Sequence, residues 1–156
     1  MGGGSGSRSH RLPFEENTAI DNAIAAADAE IDQITGRTFV VPSGATAKTF
    51  IPYDDYTLYV DDVAQLTGLV VKEDTSLDGT YDTTLTITTD YVVDGNSAPY
   101  RVIKRVDGDM WPRDRYGRPT VEVTAFWGYG MAVPDQIAQC SLVIAARLYQ
   151  RRSSPL

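Results

Sequence analysis

Few residues of this chain have the type and spacing that chemistry requires. The only histidine, His10, lies in the Gly/Ser-rich opening MGGGSGSRSHRLPF. That placement excludes Ser-His-Asp and Cys-His nucleophile systems and multi-histidine metal sites, all of which need an imidazole held by a folded element. The carboxylate pairs Asp54-Asp55 and Asp61-Asp62 have the chemistry to exchange a proton or hold a divalent cation. Neither pair shows the Asp-x-Asp-x-Asp-Gly spacing of a calcium loop, and adjacent acids at strand ends serve turns and solubility more often. The stretch GDMWPRDRYGRP sets Trp111 and Tyr116 among Arg113, Arg115 and Arg118. Such a mixture suits stacking on bases, and equally suits a protein-binding loop, where Trp, Tyr and Arg are favoured anchors. The expectation is no catalytic residue, no metal and no cofactor.

With 156 residues and 42% hydrophobic content, the chain fits one domain with a core of its own. A formal charge of -7 disfavours a dominant affinity for a phosphate backbone, which needs clustered Lys and Arg. The single cysteine, Cys140, rules out an internal disulfide and a cysteine-based zinc site. Its place in an apolar segment predicts a small buried residue and fits a reducing compartment. No run of about 18 apolar residues is present, so no membrane-spanning helix is expected. The opening lacks the apolar core of a secretory signal and reads as a Gly/Ser-rich arm.

Two helices and a β region are expected to carry these residues. In EENTAIDNAIAAADAEIDQITGRTF, the residues Ile20, Ile24, Ala27, Ile31 and Ile34 recur at alternating steps of 4 and 3, one apolar stripe of an amphipathic helix. Gly36 stands where a left-handed cap is wanted. From Phe39 onwards the period is two. AKTFIP, YTLYVD, TGLVVKE, TLTITTDYVV, YRVIKRV and TVEVTAFWG alternate between turn formers and predict five or six short antiparallel strands. In the last, Val121, Val123, Ala125 and Trp127 share one face. Pro134 and Asp135 then open a closing helix. That helix carries one stripe of Ile137, Cys140, Ile144 and Leu148 and a second of Ala138, Leu142, Ala145 and Tyr149, which calls for cover on two sides. The order predicts an α+β fold: a small helical bundle, first and last helices packed together, with an inserted antiparallel β lobe. Its parts are a Gly/Ser-rich arm at 1–14, a domain at 15–152 (helix 15–35, β lobe 39–128, helix 134–152) and a tail at 153–156.

Charge is segregated. Between Asp54 and Asp94 lie ten acids against one base, and between Arg101 and Arg118 six bases against three acids. Single charge runs are usually solvated faces, but opposite signs on one small domain also suit head-to-tail self-association.

Three stretches together carry a family resemblance: EIDQITGRTF, DGTYDTTLTITTDYVV and the closing VEVTAFWGYGMAVPDQIAQCSLVIAARLYQRRSSPL. They resemble the head-tail connector family of tailed bacteriophages, the neck adaptor or head-completion proteins, over about residues 15–156. Gly36, Arg37 and Phe39 match the family's first helix end. Trp127, Gly128, Val133 and Pro134 match the turn into its last helix, and Arg147, Arg151, Arg152, Ser153 and Pro155 match its close. Many members have a short extra helix where this chain has Gly and Ser, and many continue past Ser-Pro-Leu. The resemblance implies a non-enzymatic virion protein of the neck, assembled in the host cytoplasm. It implies a closed ring of about twelve copies beneath the portal protein, extending the DNA channel and receiving the next neck or tail protein, a stopper or tail terminator.

On that basis Arg147, Arg151, Arg152, Ser153, Ser154, Pro155 and Leu156 are the expected portal or neck contacts, with 151–156 leaving the domain because Pro155 disfavours helix before it. Asp54, Asp55, Asp61, Asp62, Trp111, Arg113, Arg115 and Arg118 are the expected contacts between subunits. Any DNA contact is expected to be passive, with part of the acidic 54–94 segment facing the lumen. Two other classes remain open: a stand-alone protein- or saccharide-binding module using the Trp111 loop, and a carboxylate-dependent hydrolase.

Overall fold

The computed structural model describes residues 13–153, and the chain divides into two compact units. The first is helical. Helix α1 runs Pro13–Thr35 and helix α2 runs Asp135–Ser153. They pack antiparallel, since the Tyr149 hydroxyl donates to Glu16 Oε1 at 3.2 Å while the Ser141 hydroxyl donates to Asp28 Oδ1 at 2.5 Å.

The face α1 buries overlaps the expected stripe at Ala27 and Ile31, with Ile24 half-buried, but is turned away from its two ends. Ala19, Ala27 and Ile31 are buried and Ala23 half-buried, a row at steps of four, whereas Ile20 and Ile34 are exposed. Rows at that spacing form a helix ridge, and small side chains let a partner helix sit close against it. On α2, Ser141 and Ala145 are buried, and Ile137, Ile144, Leu148 and Tyr149 half-buried. The second expected stripe is only partly covered, because Ala138 is exposed and Leu142 remains 61% exposed; beside it Val143 is 52% exposed. Cys140 is exposed as well, which corrects its expected burial: the side of α2 that meets α1 is centred on Ser141, and one residue earlier the chain has turned by about 100°. Gly36 ends α1 with φ 64° as expected, and the Thr35 hydroxyl donates to Ile31 O at 2.8 Å.

The second unit, residues 36–133, is all β. Its strands are β1 (Thr46–Phe50), β2 (Thr57–Val63), β3 (Val70–Glu73), β4 (Thr83–Leu85), β5 (Tyr91–Asp94), β6 (Tyr100–Arg105) and β7 (Val121–Ala125). They form two antiparallel sheets of order β1-β7-β3-β4 and β2-β6-β5. The expected single strand TLTITTDYVV is two strands, one in each sheet. The break lies at Thr86–Asp90, where the Asp90 carboxylate accepts from Thr86 N at 2.6 Å and Thr88 takes φ 72°. Side chains from both sheets share one core: Leu58, Val60 and Val63 of β2, Val71, Leu85, Tyr91, Ile103, and Val121, Val123 and Ala125 of β7. Strand β7 is central and alternates as its sequence predicts. Just past its end the sheets join, with Ala64 N donating to Phe126 O and Gly128 N to Asp62 O, each at 2.8 Å.

Candidate interaction surfaces

Strand β2 slips register against β6 between Tyr59 and Val63, a bulge that turns both Asp61 and Asp62 outward in succession before Val63 returns to the core. Each acid is taken up by its own cations. Lys48 Nζ lies 2.7 Å from Asp61 and also over the Trp127 ring, while Asp62 meets Arg101 Nε at 3.1 Å and Arg37 Nη1 at 3.7 Å. Arg37 also lies over the Tyr129 ring, against which Phe39 packs with ring centroids 5.1 Å apart. Tyr129 N donates to Thr38 O at 3.0 Å. Gly128 admits this approach: a Cβ there would stand 3.4 Å from both Pro42 Cδ and Val40 O. The Gly36-Arg37-Phe39 and Trp127-Gly128 motifs, some ninety residues apart, therefore meet in one clamp.

The Asp54-Asp55 pair is also divided. Asp54 Oδ1 accepts from Tyr56 N at 2.8 Å and Thr57 N at 2.7 Å, and these backbone hydrogen bonds, Tyr56's foremost, hold its carboxyl below the usual range. Asp55 pairs with Arg113 at 3.3 Å, and its carbonyl accepts from Trp111 N at 2.8 Å. Trp111 is only 2% exposed, which corrects its expected role as a surface anchor. Its ring joins the core, with the Arg105 guanidinium 5.3 Å from its centroid. A stand-alone module grasping ligands with Trp111 loses its central residue.

Arg105 is the group that sequence reasoning missed. It is buried, ion-paired to Glu73 of β3 and held through Nε and Nη2 by Asp107 at 2.9–3.1 Å. Burial opposes its charge, but the carboxylates of Asp107 and Glu73 outweigh that and raise its pKa, while burial pushes the Glu73 carboxyl up. The only sequence signal was a basic residue at an inward β6 position, next to Ile103 in the alternation. The partner, 32 residues away in the other sheet, left no local trace.

Further along the loop, Asp114 accepts from the Arg118 side chain at 3.1 Å and from the backbone N–H groups of Tyr116 and Arg118. The Arg118 side chain chiefly, and then those amides, hold its carboxyl down at about 2. Arg118 also donates to Leu77 O at 3.0 Å. Together these residues border a surface cavity of about 220 Å³ whose other carboxylate, Asp74, already accepts from Gly79 N at 2.7 Å. Arg115 lies over the neighbouring Tyr116 ring and donates to its hydroxyl. Most expected inter-subunit charges thus hold partners inside the chain, and among them Arg115 pairs with no carboxylate in the described residues.

Arg147, Arg151 and Arg152 are exposed on α2 and form no ion pair among the described residues. The helix continues through Ser153, so Arg151 does not leave the domain as expected: Pro155 restricts the residue before it, and the turn ending at Ser153 still forms. Ser154, Pro155, Leu156 and residues 1–12 with His10 lie outside the described residues. Among those described, no helix is long and apolar enough to cross a membrane, and no cluster of His, Cys, Asp and Glu is placed to hold a metal.

No family model matches the chain, and no curated protein does. Solved structures do. A chain from the neck of an empty gene transfer agent particle, computed with C6 symmetry, is similar at TM-score 0.57 and 22% identity, over 100% of this chain and 75% of that one. A chain from the virion of a native gene transfer agent particle is similar at TM-score 0.54 and 25% identity, over 94% and 72%. A chain from the neck of a native particle, computed with C12 symmetry, gives TM-score 0.54 and 24% identity over 98% and 84%. The chain therefore has the fold of components of a phage-like particle's neck, in accord with the resemblance read from its motifs.

Proposed function

We propose that this chain is a structural head-to-tail adaptor of a virion neck, a ring of copies beneath the portal that extends the DNA channel and joins the capsid to the next neck or tail protein. The observation that carries the proposal is likeness over the whole chain to chains of solved necks. The C6 and C12 symmetries of those necks support a ring, with about twelve copies as the expected number. The basic end of α2, Arg147, Arg151 and Arg152, and the residues after it are the surface offered to neighbouring proteins. DNA contact in the channel is passive, because walls of net negative charge repel duplex. Assembly takes place in the host cytoplasm.

The test is electron microscopy of portal-bearing, DNA-filled heads with and without the purified chain. A ring of added density at the portal vertex is the expected result. Heads that gain no density and become no more competent for tail attachment would remove the proposal. Tight duplex binding at physiological salt by the chain alone would remove the passive-channel part of it.

A further inference from the structure

The two-helix unit leaves two faces uncovered, and they are complementary. On α2, Leu142, Val143 and Ala146 are exposed, spaced at three and four residues on one side of the helix, with Arg147 and Arg151 along the edge. On α1, Ala25, Ala26 and Ala29 are exposed, with Asp21 at one edge and Glu30 at the other, nine residues or about 180° of helix rotation apart. Helix α1 carries six acids and no base, and α2 ends in bases. None of Asp21, Glu30, Arg147 and Arg151 forms an ion pair among the described residues.

We infer that the Leu142–Val143 face of α2 docks on the alanine face of α1 in a neighbouring copy of the same chain. This rests on the ring reading and names the contact that builds it. Large apolar side chains on one helix meet small ones on the other, which allows close approach, and because α1 has an acid at each edge, the arginine edge of α2 meets one whichever way the two helices run. Charge selects the occupant. Pairing α2 with α2 would set Arg147 and Arg151 against each other, and pairing α1 with α1 would oppose acid to acid. Only α2 on α1 unites apolar contact with opposite charge. Such a contact uses two different surfaces, so it is heterologous and propagates into a ring when the rotation closes. Arg152 and the residues after it remain for the portal or the next neck protein.

The test is the assembly state, by native mass spectrometry, of two full-length variants. One carries Arg147→Glu with Arg151→Glu, the other Asp21→Arg with Glu30→Arg. Each alone faces like charges at every junction and should associate about tenfold more weakly than the unaltered chain, an exposed attraction being replaced by repulsion. Mixed in equal amounts they should restore assembly with alternating copies, because every junction is again between opposite charges. Mixed assembly no better than either variant alone overturns the inference, as does full assembly of each variant by itself. Leu142→Glu with Val143→Glu, checked for an unchanged melting temperature, should abolish assembly outright, and assembly that persists there also overturns it. If the unaltered chain forms no ring, alone or on heads, the adaptor reading itself fails. Rings indifferent to all three variants leave that reading standing and place the contact elsewhere.

Discussion

The Arg105 guanidinium lies 5.3 Å from the centre of the Trp111 ring, and both side chains are buried. One residue fixes strand β6 and the other the loop after it, while Glu73 ties the pair to the opposite sheet. The basic stretch between Arg101 and Arg118 is therefore anchored from inside, and its remaining charges ride on a held loop.

Breaking that anchor should be costly. Arg105→Met leaves the Glu73 carboxylate buried without its counter-ion, and the expected loss is about 3–5 kcal/mol in urea unfolding. Adding Glu73→Leu should recover a large part of it, because an apolar pair of similar volume needs no compensation. A double variant no more stable than the single would mean that the carboxylate is not what makes the single variant costly.

Asp114 should set a low-pH limit for the same loop. Its folded pKa, about 2, lies below the ordinary 3.8, so its contribution is fully present above about pH 4 and is lost as pH falls towards 2. Tryptophan fluorescence in a Trp127→Phe background, where Trp111 alone reports, should shift across that window as the turn at 114–118 loosens. In Asp114→Asn the part of the shift between pH 4 and 2 should disappear.

Gly36→Ala should destabilise the chain by about 1 kcal/mol. The cause is conformational, since a Cβ there meets nothing within 4 Å while φ is 64°. Thermal melting of Gly36→Asn, a residue that tolerates this region better, should fall between the two.

Arg113→Glu with Arg115→Glu should leave the fold nearly intact, because the Asp55–Arg113 pair is half-exposed and such pairs are worth about 1 kcal/mol or less. If this loop also meets a neighbouring subunit, ring formation at low salt should weaken in sedimentation experiments. Unchanged assembly would confine the contact to the helices.

Removing residues 154–156 together with Arg152→Glu should leave melting within a degree or two of the full chain, since Arg152 is exposed in the last turn of α2 and surface changes of this kind cost little. Attachment to DNA-filled heads should fall sharply. Normal head completion by this variant would show that the joint lies elsewhere.

The sequence alone determined that a helix, an antiparallel β region and a second helix follow in that order, though not the seventh strand made by the break at Thr86–Asp90, because periodicity is a local property: three to four residues per turn before Gly36 and after Pro134, two between them. It also placed the α1 cap, since only a residue without a Cβ takes φ 64° cheaply. What the tertiary structure decided was the environment of each side chain. Asp61 and Asp62 went to different partners because a bulge in β2 turned them outward, Asp61 towards Lys48 and Asp62 towards Arg101 and Arg37. Trp111 went inside because Arg105 and the core offered its ring more contact than solvent. Cys140 and Leu142 stayed outside because α1 is narrow and covers only one side of α2. The apolar pattern of a helix states how much surface needs cover, and only the packed chain shows which part it covers for itself and which it leaves for a partner.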